Sequence, residues 1–68
     1  MKHQHRSSTI DHSEYDPIKR TLVVKFISGG SYQYHDVPMA VANGLQTAKS
    51  AGKYFHANIK NSFKTVKL

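Results

Sequence analysis

The chain has 68 residues, with ten Lys and Arg against four Asp and Glu, a formal charge of +6 and no cysteine. That length allows a single domain burying only roughly 60% of the surface its unfolded form exposes, and no disulfide is available to compensate, so a cytoplasmic setting is expected over secretion. Residues 1–8 (MKHQHRSS) lack the apolar core of a signal peptide, and no apolar run approaches the length of a membrane span.

In chain order, residues 1–8 read as a disordered polar tail, leaving residues 9–68 as the domain. Residues 9–15 (TIDHSEY) predict a strand with poor alternation, and Asp16-Pro17 marks a turn, because proline presets φ and the aspartate can accept from the backbone beyond it. Residues 21–27 (TLVVKFI) are the clearest strand, β-branched and aromatic throughout with no breaker. Leu22, Val24 and Phe26 share one face, while Val23, Lys25 and Ile27 share the other. A glycine pair at 29 and 30 supplies the positive φ of a hairpin loop, and residues 31–37 (SYQYHDV) return as the partner strand. A three-residue loop at 28–30 sets Phe26 opposite Tyr32 and Val24 opposite Tyr34. Both tyrosines then lie on the Leu22 face, whereas a two-residue loop reverses them.

Pro38 can open a helix, and Val41, Leu45 and Ala48 recur at helical spacing through residues 38–49. Gly44 weakens that helix by roughly 1 kcal/mol relative to alanine. Ser50 is a plausible cap for a second helix over residues 51–60, whose Phe55 and Ile59 make an apolar edge continued by Phe63. Residues 63–68 suit either a longer helix or a final strand. The expected architecture is α+β, a small antiparallel sheet made of a β-hairpin and an N-terminal strand, followed by one or two short helices packed on one face.

Charge is unevenly distributed. Asp11, Glu14, Asp16 and Asp36 all precede Val37, and Lys49, Lys53, Lys60, Lys64 and Lys67 follow it with no acid among them. Lys49, Lys53, His56, Lys60 and Lys64 recur at spacings of four, three, four and four, which on a helix is one side. Such a row suits phosphates, because each one neutralised releases condensed counterions. A solvated helix face gives a similar pattern, but usually with glutamates interspersed. Tyr32 and Tyr34 suit two uses, stacking unpaired bases or filling the core, and a domain this small needs large side chains inside. Histidines 3, 5, 12, 35 and 56 include a His3-x-His5 pair, but without cysteine a closed four-ligand zinc site is not expected, nor any other cofactor. His12, Glu14 and Asp16 share a strand face, yet no nucleophile elbow, phosphate loop or metal motif accompanies them, so no enzyme is expected.

From Ser8 to about Phe63 the chain resembles the KTSC domain, named for the lysyl-tRNA synthetase C-terminus and found also in small stand-alone bacterial and phage proteins. The resemblance rests on Tyr15-Asp16 before a turn, Leu22-x-Val24-x-Phe26, Gly29-Gly30, Tyr32-x-Tyr34 and Val37-Pro38. It continues through Ala48, Ser50, Gly52, Lys53, Tyr54, Phe55, Ile59 and Lys60 in order. It implies no catalytic residue and marks Tyr32, Tyr34, Ser50, Gly52, Lys53, Tyr54, Phe55 and Lys60. Residue reading and resemblance together predict a nucleic-acid-binding module, RNA before DNA, using Lys49, Lys53, His56, Lys60 and Lys64 with Tyr32, Tyr34, Ser50, Gly52 and Tyr54. The alternative is an accessory protein that docks on an acidic protein partner or self-associates as a weak homodimer, motivated by Val23 and Ile27 on the outer sheet face.

Overall fold

The computed structural model describes residues 2–5 and 7–68. The strands are β1 (Lys2–Gln4), β2 (Ile10–Asp16), β3 (Thr21–Phe26), β4 (Ser31–Tyr34) and β5 (Thr65–Lys67). Helices α1 (Met39–Thr47) and α2 (Ala51–Asn58) lie between β4 and β5. The five strands form one sheet in the order β1-β2-β3-β4-β5, every neighbouring pair antiparallel. The α+β expectation holds, and β5 settles the last residues as a strand. Both helices cover one sheet face, where Ile10, Tyr15, Leu22, Val24 and Tyr34 join Ala42, Leu45, Phe55 and Ile59 in the core.

Local chemistry explains each element. In β2 the register shifts between Ile10 and His12, which opposes Ile10 to Phe26 but His12 to Lys25. This bulge lets Ile10 face the core together with Ser13 and Tyr15, three residues that strict alternation would split between faces. The Asp16 carboxylate accepts from the Ile18 and Lys19 amides at 2.9 and 3.2 Å, as the turn chemistry requires. The β3–β4 loop has three residues, but they are 27–29, one earlier than expected. Gly29 N–H donates to Phe26 O, Phe26 N–H donates to Gly30 O, and both glycines take positive φ. Phe26 therefore meets Gly30, and Val24 meets Tyr32 while Leu22 meets Tyr34. The partners move by two residues, so the tyrosines keep the expected face.

The N-terminal segment departs from expectation. Lys2–Gln4 is no disordered tail but an edge strand, with His3 opposite Ser13. Its anchor is His5, buried and bonded through Nε2 to Ser13 Oγ at 2.7 Å, with its amide donating to Asp11 O at 3.0 Å. Burial, then the nearby His3 and His12, hold the His5 imidazole below its ordinary pKa. Met1 and Arg6 of the expected tail lie outside the described residues.

The sheet and α1 are joined at two points. Tyr15 Oη donates to Val37 O at 2.6 Å, and Val37 N–H donates to Arg20 O at 2.9 Å. In α1, Gly44 is more than a weak helix former. A Cβ there would collide with the Tyr54 hydroxyl, which crosses from α2 to donate to Val41 O at 3.1 Å. The Ser50 hydroxyl caps α2 by accepting from the Lys53 amide at 3.3 Å. The helix ends at Asn58, two residues short of expectation, because Ile59 leaves helical geometry and sinks fully into the core.

Candidate nucleic-acid interface

Two hollows adjoin on the side of α2 that faces β2 and the β3–β4 hairpin. The first, about 560 Å³ and open to solvent, is lined by Ser7, Ser8, Thr9, Lys49, Ser50, Ala51, Gly52, Lys53 and His56. The second, about 680 Å³, is lined by Thr9, Phe26, Tyr32, Tyr34, Gly52, Phe55, His56, Lys60, Asn61 and Thr65. They share Thr9, Gly52 and His56. Neither lining contains a carboxylate. The acids stand elsewhere, on β2 and at Asp36 before α1. Among the described residues the close contact of a basic side chain with a carboxylate is His12 Nδ1 with Asp11 Oδ2 at 2.8 Å, inside the β2 bulge, and no lysine here pairs with an acid.

The floor of the second hollow is a chain of rings meeting edge to face. Tyr32 and Phe26 lie 5.8 Å apart at 75°, Phe26 and Phe55 5.3 Å apart at 74°, and Phe55 and Tyr34 5.5 Å apart at 78°. Phe26 and Tyr32 remain partly exposed, whereas Phe55 and Tyr34 are buried. Burial, with the Tyr32 phenol beside it, pushes the Tyr34 phenol above its ordinary pKa.

The structure thus sorts the residues expected at the site. Lys49, Lys53, His56, Lys60, Ser50, Gly52 and Tyr32 gather around the two hollows. Ser50 is there as the cap of α2. Gly52 is there because a Cβ would lie 3.3 Å from Thr9 Oγ1, tighter than ordinary contact. Three expectations are corrected. Tyr34, 3% exposed, is a core residue whose ring is too covered to take a base. Tyr54 points to the opposite side of α2, into α1, where its hydroxyl is committed to Val41 O. Lys64 leaves the stripe because the helix has already ended, and its carbonyl accepts from the His35 amide where the chain approaches β5.

The sequence reading missed several lining residues. Ser7 Oγ accepts from the Thr9 and Ile10 amides at 3.0 and 3.2 Å, which folds the Ser-Ser-Thr run against the start of α2. That run of hydroxyls before a strand was the available signal. Lys67 pairs directly with Tyr32 across β4 and β5, which places it on the same sheet face. No spacing rule reaches it, because the pairing spans both helices. Among the described residues no cluster of three or more His, Asp or Glu could hold a metal ion, and no helix is long and apolar enough to cross a membrane.

Comparison with known proteins identifies the family and the fold. The KTSC domain model matches residues 6–63. A KTSC domain protein of Yersinia pestis, known from its crystal structure, superimposes with a TM-score of 0.95 at 34% identity, covering 100% of this chain and 96% of that one. A protein of Tsukamurella paurometabola is 36% identical over 62 residues, 91% of this chain and 92% of its own length. A lysine–tRNA ligase of a Nostoc species is 46% identical over 50 residues, which is 74% of this chain but only 9% of the ligase.

Proposed function

The chain belongs to the KTSC domain family, and on that footing we propose that it is a small nucleic-acid-binding module without catalytic activity, acting in the cytoplasm and preferring RNA to DNA. The observation that carries this reading is the set Lys49, Lys53, His56 and Lys60 around two joined hollows whose linings hold no carboxylate. Lysines placed together without acids attract a polyanion over a distance set by the ionic strength, and they gain from the counterions that each phosphate releases. The preference for RNA draws on the likeness to a segment of lysine–tRNA ligases, enzymes whose substrate is a tRNA.

Fluorescence anisotropy with labelled RNA and DNA over a series of salt concentrations tests the reading. Engagement of three phosphates gives a slope of about −2 for log K against log salt on a single strand. Binding that ignores salt, or is absent at low salt, overturns it.

A second reading has its own observation. The sheet face away from the helices is uncovered and carries exposed apolar side chains, Val66 at 42%, Ile27 at 56% and Leu68 at 61%. Such a surface suits an accessory protein that docks on an acidic partner or on a second copy. Sedimentation at increasing concentration separates a weak homodimer from a monomer.

A further inference from the structure

We infer that the hollow floored by Phe26, Tyr32 and Phe55 is a slot for one unpaired nucleobase, so that the module selects single-stranded segments over duplex. The inference rests on the nucleic-acid reading above and specifies which form of nucleic acid the site takes.

Four observations lead to it. The first is size. At about 680 Å³ the hollow falls within the range of pockets that enclose small organic ligands, ample for one heterocycle. The second is ring geometry. Each aromatic neighbour in the chain meets the next at 74–78°, so none of these contacts uses a ring face in a parallel stack. Phe26 and Tyr32, the two partly exposed rings, are the ones against which a planar base can lie. The third is the rim. Asn61 is exposed there and carries both an amide donor and a carbonyl acceptor, the pair needed to read a base edge. Lys60 and His56 stand beside it with no carboxylate in the lining, which disfavours a basic ligand and suits an anionic one such as a nucleotide.

The fourth is continuity with the neighbouring hollow. The wall between the two is made by Thr9, Gly52 and His56, and Gly52 has no side chain to widen it. A base in the aromatic hollow thus has a basic, hydroxyl-lined hollow next to it, with Lys49 and Lys53 placed for the phosphate of the same or the adjoining nucleotide. Bases stacked inside an RNA duplex cannot reach such a slot, whereas those of loops, bulges and ends can.

The test uses the full chain and an eight-nucleotide RNA carrying a single 2-aminopurine, free or annealed into a blunt duplex. Anisotropy gives affinity, and 2-aminopurine emission gives stacking. The expected result is binding to the single strand at least about tenfold tighter than to the duplex, with quenching of 2-aminopurine at one position. Asn61→Asp, a substitution at an exposed position that puts a negative charge on the rim, should weaken single-strand binding about tenfold and duplex binding by less. Tyr32→Leu should abolish the quenching, and a thermal melt of each variant checks that it folds. Equal affinity for both forms without quenching, still lost on Lys53→Glu, overturns the slot while leaving phosphate binding intact. No binding to either form overturns both. Equal single-strand affinity for Asn61→Asp and the parent also overturns the slot.

Discussion

The two flanks of α2 carry similar residues to opposite ends. On one flank Tyr54 reaches across to α1, fills the space left by Gly44 and spends its hydroxyl on Val41 O. On the other flank Phe55 meets the sheet aromatics edge to face, and a hollow with lysines at its margin remains above them. The first flank closes because a glycine lets two helices approach. The second stays open because the β3–β4 hairpin offers rings set upright to one another, with Tyr32 and Phe26 at its margin. An aromatic residue beside a basic stripe is therefore structural or available according to what stands across from it, a distinction that residue type does not carry.

Substitutions on the two flanks should separate binding from stability. The largest effect is expected from Lys53→Glu combined with Lys60→Glu on the open flank. RNA affinity should fall by at least about 100-fold, or about 2.7 kcal/mol, with the melting temperature nearly unchanged, as anisotropy and calorimetry would show. Next is Gly44→Ala on the closed flank. Helix propensity alone predicts a gain, but the collision with Tyr54 should instead cost about 2 kcal/mol, lowering the melting temperature by about 10 °C while RNA affinity per folded molecule stays constant. A rise in melting temperature would show that Tyr54 can move aside. Tyr54→Phe should cost about 1 kcal/mol in denaturant unfolding without touching affinity, because it removes one hydrogen bond between the helices and leaves the open flank alone.

The smallest effect concerns pH. The folded chain holds His5 below its ordinary pKa, so the unfolded chain takes up the proton first, near 6.5. Stability is fully present above that value and declines as pH falls from it through the lowered native pKa. In His5→Gln that decline should shrink, which urea melts at pH 7 and pH 5 would detect. An unchanged pH dependence would assign the decline to other groups.

What was legible in the sequence follows from which signals are local. The β3 strand, the glycine-paired loop and the Ser50 cap rest on near neighbours in the chain, and all three stand. The loop slipped by one residue, yet because its length stayed at three the partners moved by two and the tyrosines kept their face. The lysine stripe was legible only over α2 and the residues flanking it. Lys49, Lys53, His56 and Lys60 come together, and Lys64 does not, because the burial of Ile59 ended the helix first. The N-terminal strand was illegible because Lys-His-Gln has no apolar alternation, and its anchor is a histidine whose value depends on a buried serine eight residues on. Tyr34 and Tyr54 were marked for their type, but their partners, Phe55 and Gly44, are tertiary neighbours that no spacing reveals.

The placement of both helices between β4 and β5 has a consequence for the order of assembly. The pairings β1–β2, β2–β3 and β3–β4 each join consecutive strands through short turns, so their loop-closure cost is small and they can form early. Pairing β5 with β4 instead closes a loop that contains α1 and α2, and it brings Thr65 to Tyr34 and Lys67 to Tyr32. The wall of the aromatic hollow that Thr65 supplies is thus completed by the most distant contact in the sheet, made by an exposed three-residue strand. On a ribosome β5 emerges after the other four strands and both helices, so the hollow acquires its finished shape only once all of them are out.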